Sequence, residues 1–93
     1  MEFFAVDAKT MEPVFDGNDF GVDLVLSKQA KWVYDLDKKL YAMGINIGAM
    51  HAEFFPGQFE FCMVPKYGIE TFDDTYVLRE AIKELLPQHG LKA

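Results

Sequence analysis

Residues 51–60 read HAEFFPGQFE, and the way this stretch folds back on itself decides the architecture. Pro56-Gly57 is a turn pair, and apolar and polar residues alternate on both sides of it, the mark of a β-hairpin. With Pro56-Gly57 as a two-residue tip, Phe55 faces Gln58, Phe54 faces Phe59, and Glu53 faces Glu60. Alternation then puts Met50, Ala52, Phe54, Phe59, Phe61 and Met63 on one face. His51, Glu53, Gln58, Glu60 and Cys62 fall on the other. An L-Pro-Gly tip suits a tight hairpin less well than Asn-Gly, so a bulge or a shifted register stays open. Two like charges directly opposite one another destabilise a strand pair. A shared proton, a basic neighbour or a cation must offset the Glu53–Glu60 repulsion.

Outward from the hairpin strands, expected over 45–55 and 58–64, helical patterns lie on both sides. Upstream, Val33, Leu36, Leu40 and Met43 recur at helical spacing, Ser27 is placed to cap a helix starting at Lys28, and Gly44 to end it. Trp32 and Tyr34 on this helix are read as packing residues. Downstream, Val77, Leu78, Ala81, Ile82, Leu85 and Leu86 form a second apolar stripe. Thr71 or Asp73 is its expected cap, Asp73 and Asp74 suit its first turn, Pro87 falls in its last turn, and Gly90 closes it. Glu2 to Val6 reads as a strand, with Phe3 inward and Phe4 outward. From Asp7 to Asp23, Pro13, Asp16-Gly17-Asn18-Asp19 and Gly21 punctuate a loop with room for a short strand. Leu91-Lys92-Ala93 looks like the start of a strand that does not develop. The expectation is one α+β unit over 1–93, ordered strand, helix, strand, strand, helix, with an antiparallel hairpin and two helices on one sheet face.

Bulk properties narrow the function. Ninety-three residues make one domain. At 51% hydrophobic and 15% aromatic, with nine Phe, the chain is too apolar to be disordered. Fifteen acidic against nine basic residues give a net charge of −6 without a Lys/Arg cluster, which argues against a nucleic-acid partner. The single Cys62 excludes an internal disulfide and suits a reducing, cytoplasmic setting. No apolar run is long enough for a membrane span, and no secretory signal is visible. The strand-like run directly after Met1 gives the chain the look of a cut piece.

The chemistry-bearing candidates are few. If the first strand joins the hairpin sheet, Glu2 converges with Glu53 and Glu60, with His51 nearby. Oxygen donors of that kind suit Mg²⁺ or Mn²⁺ better than zinc. The same residues also read as solvated glutamates on a polar sheet face. His89 reads as a helix-end residue interacting with the dipole, and Cys62 as a small filler. No phosphate loop, CxxC, HExxH or GxSxG is present.

Glu2-Phe3-Phe4, His51-Ala52-Glu53, Pro56-Gly57-Gln58-Phe59-Glu60 and Gly90-Leu91-Lys92-Ala93 carry a resemblance over essentially the whole chain. In that order they resemble landmarks of the glutamine synthetase catalytic domain. The aromatic-rich form is as similar to the wider group of γ-glutamyl-amine ligases and lengsin-like proteins. The resemblance implies one half of a core built from two strand–helix–two-strand–helix repeats, shared with guanidino kinases. It also implies that Glu2, Glu53 and Glu60 hold one of two divalent metals, Mg²⁺ or Mn²⁺, and that His51 lies near the substrate glutamate. The implied reaction is phosphorylation of a γ-carboxylate by ATP, followed by displacement with ammonia or an amine. The family pattern has a further glutamate ahead of Glu2 and often one where Gly48 stands. Its Gly-rich segment and arginines follow the last landmark. No residue here is assigned a catalytic role, and the nucleotide-binding residues are unknown.

Two functions from different classes follow. One is a fragment of an ATP-dependent glutamate–ammonia or glutamate–amine ligase that is inactive alone. The other is a non-catalytic structural or assembly module, or an engineered folding fragment, of the same descent. An unrelated α+β domain with an accidental match is the third reading. A half-core leaves a sheet edge unpaired, so a homodimer through that edge, or complementation by the remainder of the enzyme, is expected. No membrane partner is expected.

Overall fold

Residues 1–17 and 23–93 are described by the computed structural model. Asn18, Asp19 and Gly21 of the punctuated loop lie outside the described residues. Strands β1 (Glu2–Phe4), β3 (Ile47–Ala52) and β4 (Gln58–Met63) form an antiparallel sheet in the order β1-β4-β3. Strand β2 (Val6–Asp7) pairs with β5 (Leu91–Lys92) in a second, two-stranded ribbon. Leu91-Lys92 thus does form a short strand, paired with Val6-Asp7, where a strand that does not develop was expected. The helices are α1 (Asp23–Ala42) and α2 (Glu70–Leu85), the latter followed by a 3₁₀ turn over Leu86–His89. The α+β order expected from the sequence is present, with the small ribbon added to it.

The hairpin register differs from the expected one by two residues. Ala52 pairs with Phe59, His51 with Glu60, and Met50 with Phe61. Glu60 therefore faces His51, not Glu53. The tip explains the shift. The Gln58 amide donates to the Phe55 carbonyl at 3.0 Å, and Gly57 sits at φ +70°. Proline followed by a left-handed glycine is the arrangement of a type II turn, whose twist splays flanking strands instead of continuing them. The ladder closes two residues deeper, at the Glu53 amide to Gln58 carbonyl bond of 2.8 Å. Phe54 is consequently 65% exposed, not on the apolar face. A second irregularity, between Ile47 and Ala49, is a bulge at Gly48. Gly57 also carries a steric demand: a Cβ there would lie 2.7 Å from the Ala5 carbonyl oxygen. The chain leaving β1 crosses the tip at that point, and the Ala5 amide donates to the Gly57 carbonyl.

The core lies between the sheet and the helices. Phe59 and Phe61, alternate residues of β4, are fully buried, as is Ala52 of β3. Trp32, Val33, Leu36 and Leu40 of α1 close over them, with Leu78, Ala81, Ile82 and Leu86 from the other helical segment. Phe59 is the hub. Its ring meets Trp32 edge-on at 5.0 Å, Phe15 edge-on at 5.2 Å, and stacks on Phe3 at 5.9 Å. The buried Trp32 indole donates to Gln29 Oε1 at 2.7 Å, and Gln29 in turn donates to the Val14 carbonyl. This pins the 8–17 loop onto α1.

The helix ends depart from several expectations. Helix α1 begins at Asp23, so Ser27 lies inside it and does not cap it; Leu24 to Leu26 offer nothing that breaks a helix. Tyr34 is 62% exposed because it points away from the Val33–Leu36–Leu40 stripe, and Met43, past the end of α1, is 51% exposed. Neither Thr71 nor Asp73 caps α2. Its cap position is Ile69, without a side-chain bond, while the Thr71 hydroxyl donates to the Lys66 carbonyl. Asp74 pairs with Lys66 at 2.7 Å instead of serving the first turn, where Glu70 and Asp73 stand. Val77 lies at the edge of the buried stripe and is 36% exposed. Gly44 at φ +85° and Gly90 at φ +71° close their helical segments as expected.

A polar latch ties α1 to the segment after α2. Asp35 accepts from Lys39 at 2.6 Å and from His89 at 2.8 Å, and Lys39 also donates to Gln88 at 2.7 Å. His89 thus has a side-chain partner as well as its helix-end position. The Asp35 carboxyl is held below its ordinary value, first by Lys39 and then by His89. A lowered folded-state value means that the unfolded chain takes up the proton first. The latch therefore adds stability above the ordinary aspartate range and loses it as pH falls through the folded value. Asp35→Asn is expected to lower the urea midpoint at neutral pH, and the two proteins are expected to converge in acid; parallel curves at all pH values would sink this assignment.

Candidate functional site

The outer face of the three-stranded sheet gathers the polar residues. β4 is central, so Glu60 has neighbours on both sides, Glu2 on β1 and His51 on β3. Glu53 stands just beyond β3, two residues after His51 on the same face. That makes it the diagonal neighbour of Glu60, still within reach of a long side chain. The two-residue shift changed the partners but not the face, since side-chain direction repeats every two residues. The carboxylates of Glu2, Glu53 and Glu60 each offer an oxygen within 4.8 Å of the others. All three residues singled out from the sequence are therefore brought together.

His51 sits between two of them. Its Nδ1 is 3.3 Å from Glu53 Oε1 and its Nε2 is 3.3 Å from Glu60 Oε2. Gln58, on the same face, donates through Nε2 to Glu2 at 3.3 Å. This contact escaped the sequence reading, although the alternation that placed Gln58 beside the glutamates was the signal for it.

Electrostatically the cluster is under-compensated. Glu53 is only 9% exposed. Burial, then the hydrogen-bonded Glu60, push its carboxyl above the ordinary glutamate value, against the opposing charge of His51; Glu2 adds a smaller push. The Cys62 thiol is raised as well, first by burial and then by the Glu60 charge. A nearly buried carboxylate facing two others is costly unless a proton or a cation joins it.

Three carboxylates aimed at one small volume are an oxygen donor set, and its chemistry fits a hard divalent cation such as Mg²⁺ or Mn²⁺. The residues present fit such an ion, and the offset that a proton gives Glu53 is one that a cation also gives. Among the described residues no helix is long and apolar enough to cross a membrane.

Fold and sheet face together define an α+β unit with a carboxylate-lined face. Sequence comparison says which: the family described as "Glutamine synthetase, catalytic domain" matches residues 2–93, and the chain belongs to that family. An accidental match is thereby excluded. Among curated proteins, lengsin of Canis lupus familiaris is 33% identical over 59 residues, 63% of this chain and 10% of lengsin. Protein fluG of Emericella nidulans is 34% identical over 59 residues, 63% of this chain and 7% of fluG. Lengsin of Mus musculus is 29% identical over 67 residues, 72% of this chain and 12% of that protein. The chain thus aligns with only about a tenth of the length of these relatives.

Proposed function

We propose that this chain contributes the three-glutamate side of a divalent-cation site, Glu2, Glu53 and Glu60, to an ATP-dependent ligase joining glutamate to ammonia or an amine. The observation that carries this reading is the meeting of three carboxylates within 4.8 Å around the nearly buried Glu53. Bound there, Mg²⁺ or Mn²⁺ would supply Lewis-acid polarisation of phosphoryl oxygens and a template for the reactants. The chain's own residues hold and orient. Gln58 fixes Glu2, and His51 fixes Glu53 and Glu60; by the family resemblance His51 would also lie near substrate glutamate. No residue of the chain is assigned a catalytic role. A reducing, cytoplasmic setting accords with the single unpaired Cys62.

The test is calorimetric titration with Mn²⁺ of the wild type and Glu60→Ala. Saturable binding in the first and its loss in the second is the expected result. Absence of binding in both would overturn the reading.

One observation favours the second reading, a structural or assembly module. Tyr67 is 99% exposed, Phe72 76% and Tyr76 67%, an aromatic surface larger than a solvated face needs. Among the described residues the sheet ends at β1 and β3, and a sheet edge of this kind can pair with a second copy or with the remainder of the enzyme. Light scattering on the calorimetry samples separates these cases. A dimer without Mn²⁺ binding supports the module, and a monomer at high concentration removes self-pairing.

A further inference from the structure

Beside the carboxylate set lies a second, chemically different group of donors. His51, Glu60 and Cys62 each offer one ligand atom, and these atoms lie within 4.8 Å of one another. The backbone places them without help from any loop. Glu60 and Cys62 are alternate residues of β4 and share its outer face, and His51 is paired directly with Glu60 across the ladder. Opposite Cys62 the ladder carries Ala49, a small side chain that supplies no competing donor. Donors set on paired strands hold their spacing better than donors on loops.

We propose that His51, Glu60 and Cys62 form a binding site for a thiophilic divalent cation of the Zn²⁺ class, distinct in chemistry from the hard-cation set at Glu2, Glu53 and Glu60. One imidazole nitrogen, one carboxylate oxygen and one sulfur are the donor types zinc takes, whereas Mg²⁺ and Mn²⁺ gain little from sulfur. Tetrahedral bonds of about 2.0–2.3 Å set donor pairs roughly 3.3–3.8 Å apart, so the cluster closes on an ion by small side-chain rotations. Three protein donors leave the fourth position to water or a ligand. His51 is oriented for the task. Its Nε2 faces Glu60 while its Nδ1 lies 3.3 Å from Glu53 Oε1, the outer carboxylate that typically steadies a metal-bound histidine. On binding, the S–H bond breaks, its proton leaves to solvent, and the sulfur pair forms the bond to the metal; nothing is oxidised or reduced. The two cation sites draw on the same Glu60, but the thiophilic site does not require that the hard-cation site exist.

The test uses Co²⁺, the optically visible stand-in for zinc, titrated anaerobically into the full chain. One equivalent per chain is expected, with a sulfur-to-cobalt charge-transfer band and the visible bands of a tetrahedral centre, both removed by added Zn²⁺. Cys62→Ser is expected to abolish the charge-transfer band and leave Mn²⁺ calorimetry unchanged. His51→Gln is expected to weaken cobalt binding about tenfold or more. Two results overturn the proposal. One is the absence of a charge-transfer band in wild type at excess Co²⁺, which needs no variant to fold. The other is a band with the same midpoint in His51→Gln and Glu60→Gln, the behaviour of a thiol acting alone. A wild-type chain that shows the cobalt band and no Mn²⁺ binding supports this site and overturns the carboxylate reading alone.

Discussion

Phe59→Ala is expected to cost about 3–5 kcal/mol, the usual loss when a fully buried phenylalanine is truncated. Its ring has no exposure and touches Phe3, Phe15 and Trp32, so one deletion empties the meeting point of β1, the 8–17 loop and α1. The surroundings are held by different elements and cannot all relax inward, which keeps the cost at the upper end. A chain of this length has a total stability of roughly 5–14 kcal/mol. The substitution therefore removes about a fifth of that stability or more, and urea unfolding at neutral pH should show a much lower midpoint. Phe4→Ala is the control: Phe4 is 51% exposed on the opposite face of β1, and its loss should stay within about 0.5 kcal/mol. Equal losses at the two positions would mean that Phe59 is not the hub.

The second large effect concerns the sign of a substitution at the site. Glu53 has its carboxyl raised by burial and by Glu60, so the folded chain holds that proton more tightly than the unfolded chain. Where the native state binds more protons, stability falls as pH rises, here from the ordinary glutamate value through the folded one. At neutral pH and without a divalent cation the Glu53 carboxyl therefore contributes less to stability than it does in acid. Glu53→Gln is expected to raise the melting temperature under those conditions. Mn²⁺ at a hundredfold excess over its dissociation constant should then stabilise the wild type by about 2.7 kcal/mol. For a domain of this size that is a rise of roughly 10–20 °C. The variant, lacking a ligand, should not respond, so the order of the two melting temperatures reverses on adding metal. Thermal scans with Mn²⁺ and with chelator decide it. A Glu53→Gln protein less stable than wild type in chelator would show that the buried carboxylate is already compensated within the chain.

Most of the fold was legible because two periodicities are strong in this sequence. The alternation through 50–52 and 58–63 identified which strand residues face inward and which outward, though it misplaced Phe54 at the tip, and Val33, Leu36 and Leu40 marked the buried side of α1. The register was not legible. Both the expected and the observed pairings keep Phe59 in and Glu60 out, so hydrophobic pattern does not distinguish them; the choice falls to the turn, and Pro56-Gly57 takes the type that suits a two-residue hairpin poorly. The site survived that error for the same reason. Glu2, Glu53 and Glu60 meet through face and neighbourhood, which a two-residue shift preserves. The start of α1 was missed because Ser27 is a good cap type in a place where the helix simply continues. The β2–β5 ribbon was missed because two-residue strands carry no readable period. In the Asp35–Lys39–His89–Gln88 latch only the Asp35–Lys39 pair, at i,i+4, is local; its joining to Gln88 and His89 spans about half the chain and nothing local announces it.

The central position of β4 also orders events in time. Its pairing with β3 spans only a short turn, and hairpins of that kind form in about 1–10 μs. Its pairing with β1 must wait until the chain has closed a loop containing all of α1, an entropic cost that delays the contact. His51, Glu60 and Cys62 therefore come together in the first event, and Glu2 joins Glu60 only in the second. A folding chain acquires its mixed nitrogen, oxygen and sulfur donors before it completes its triad of oxygens.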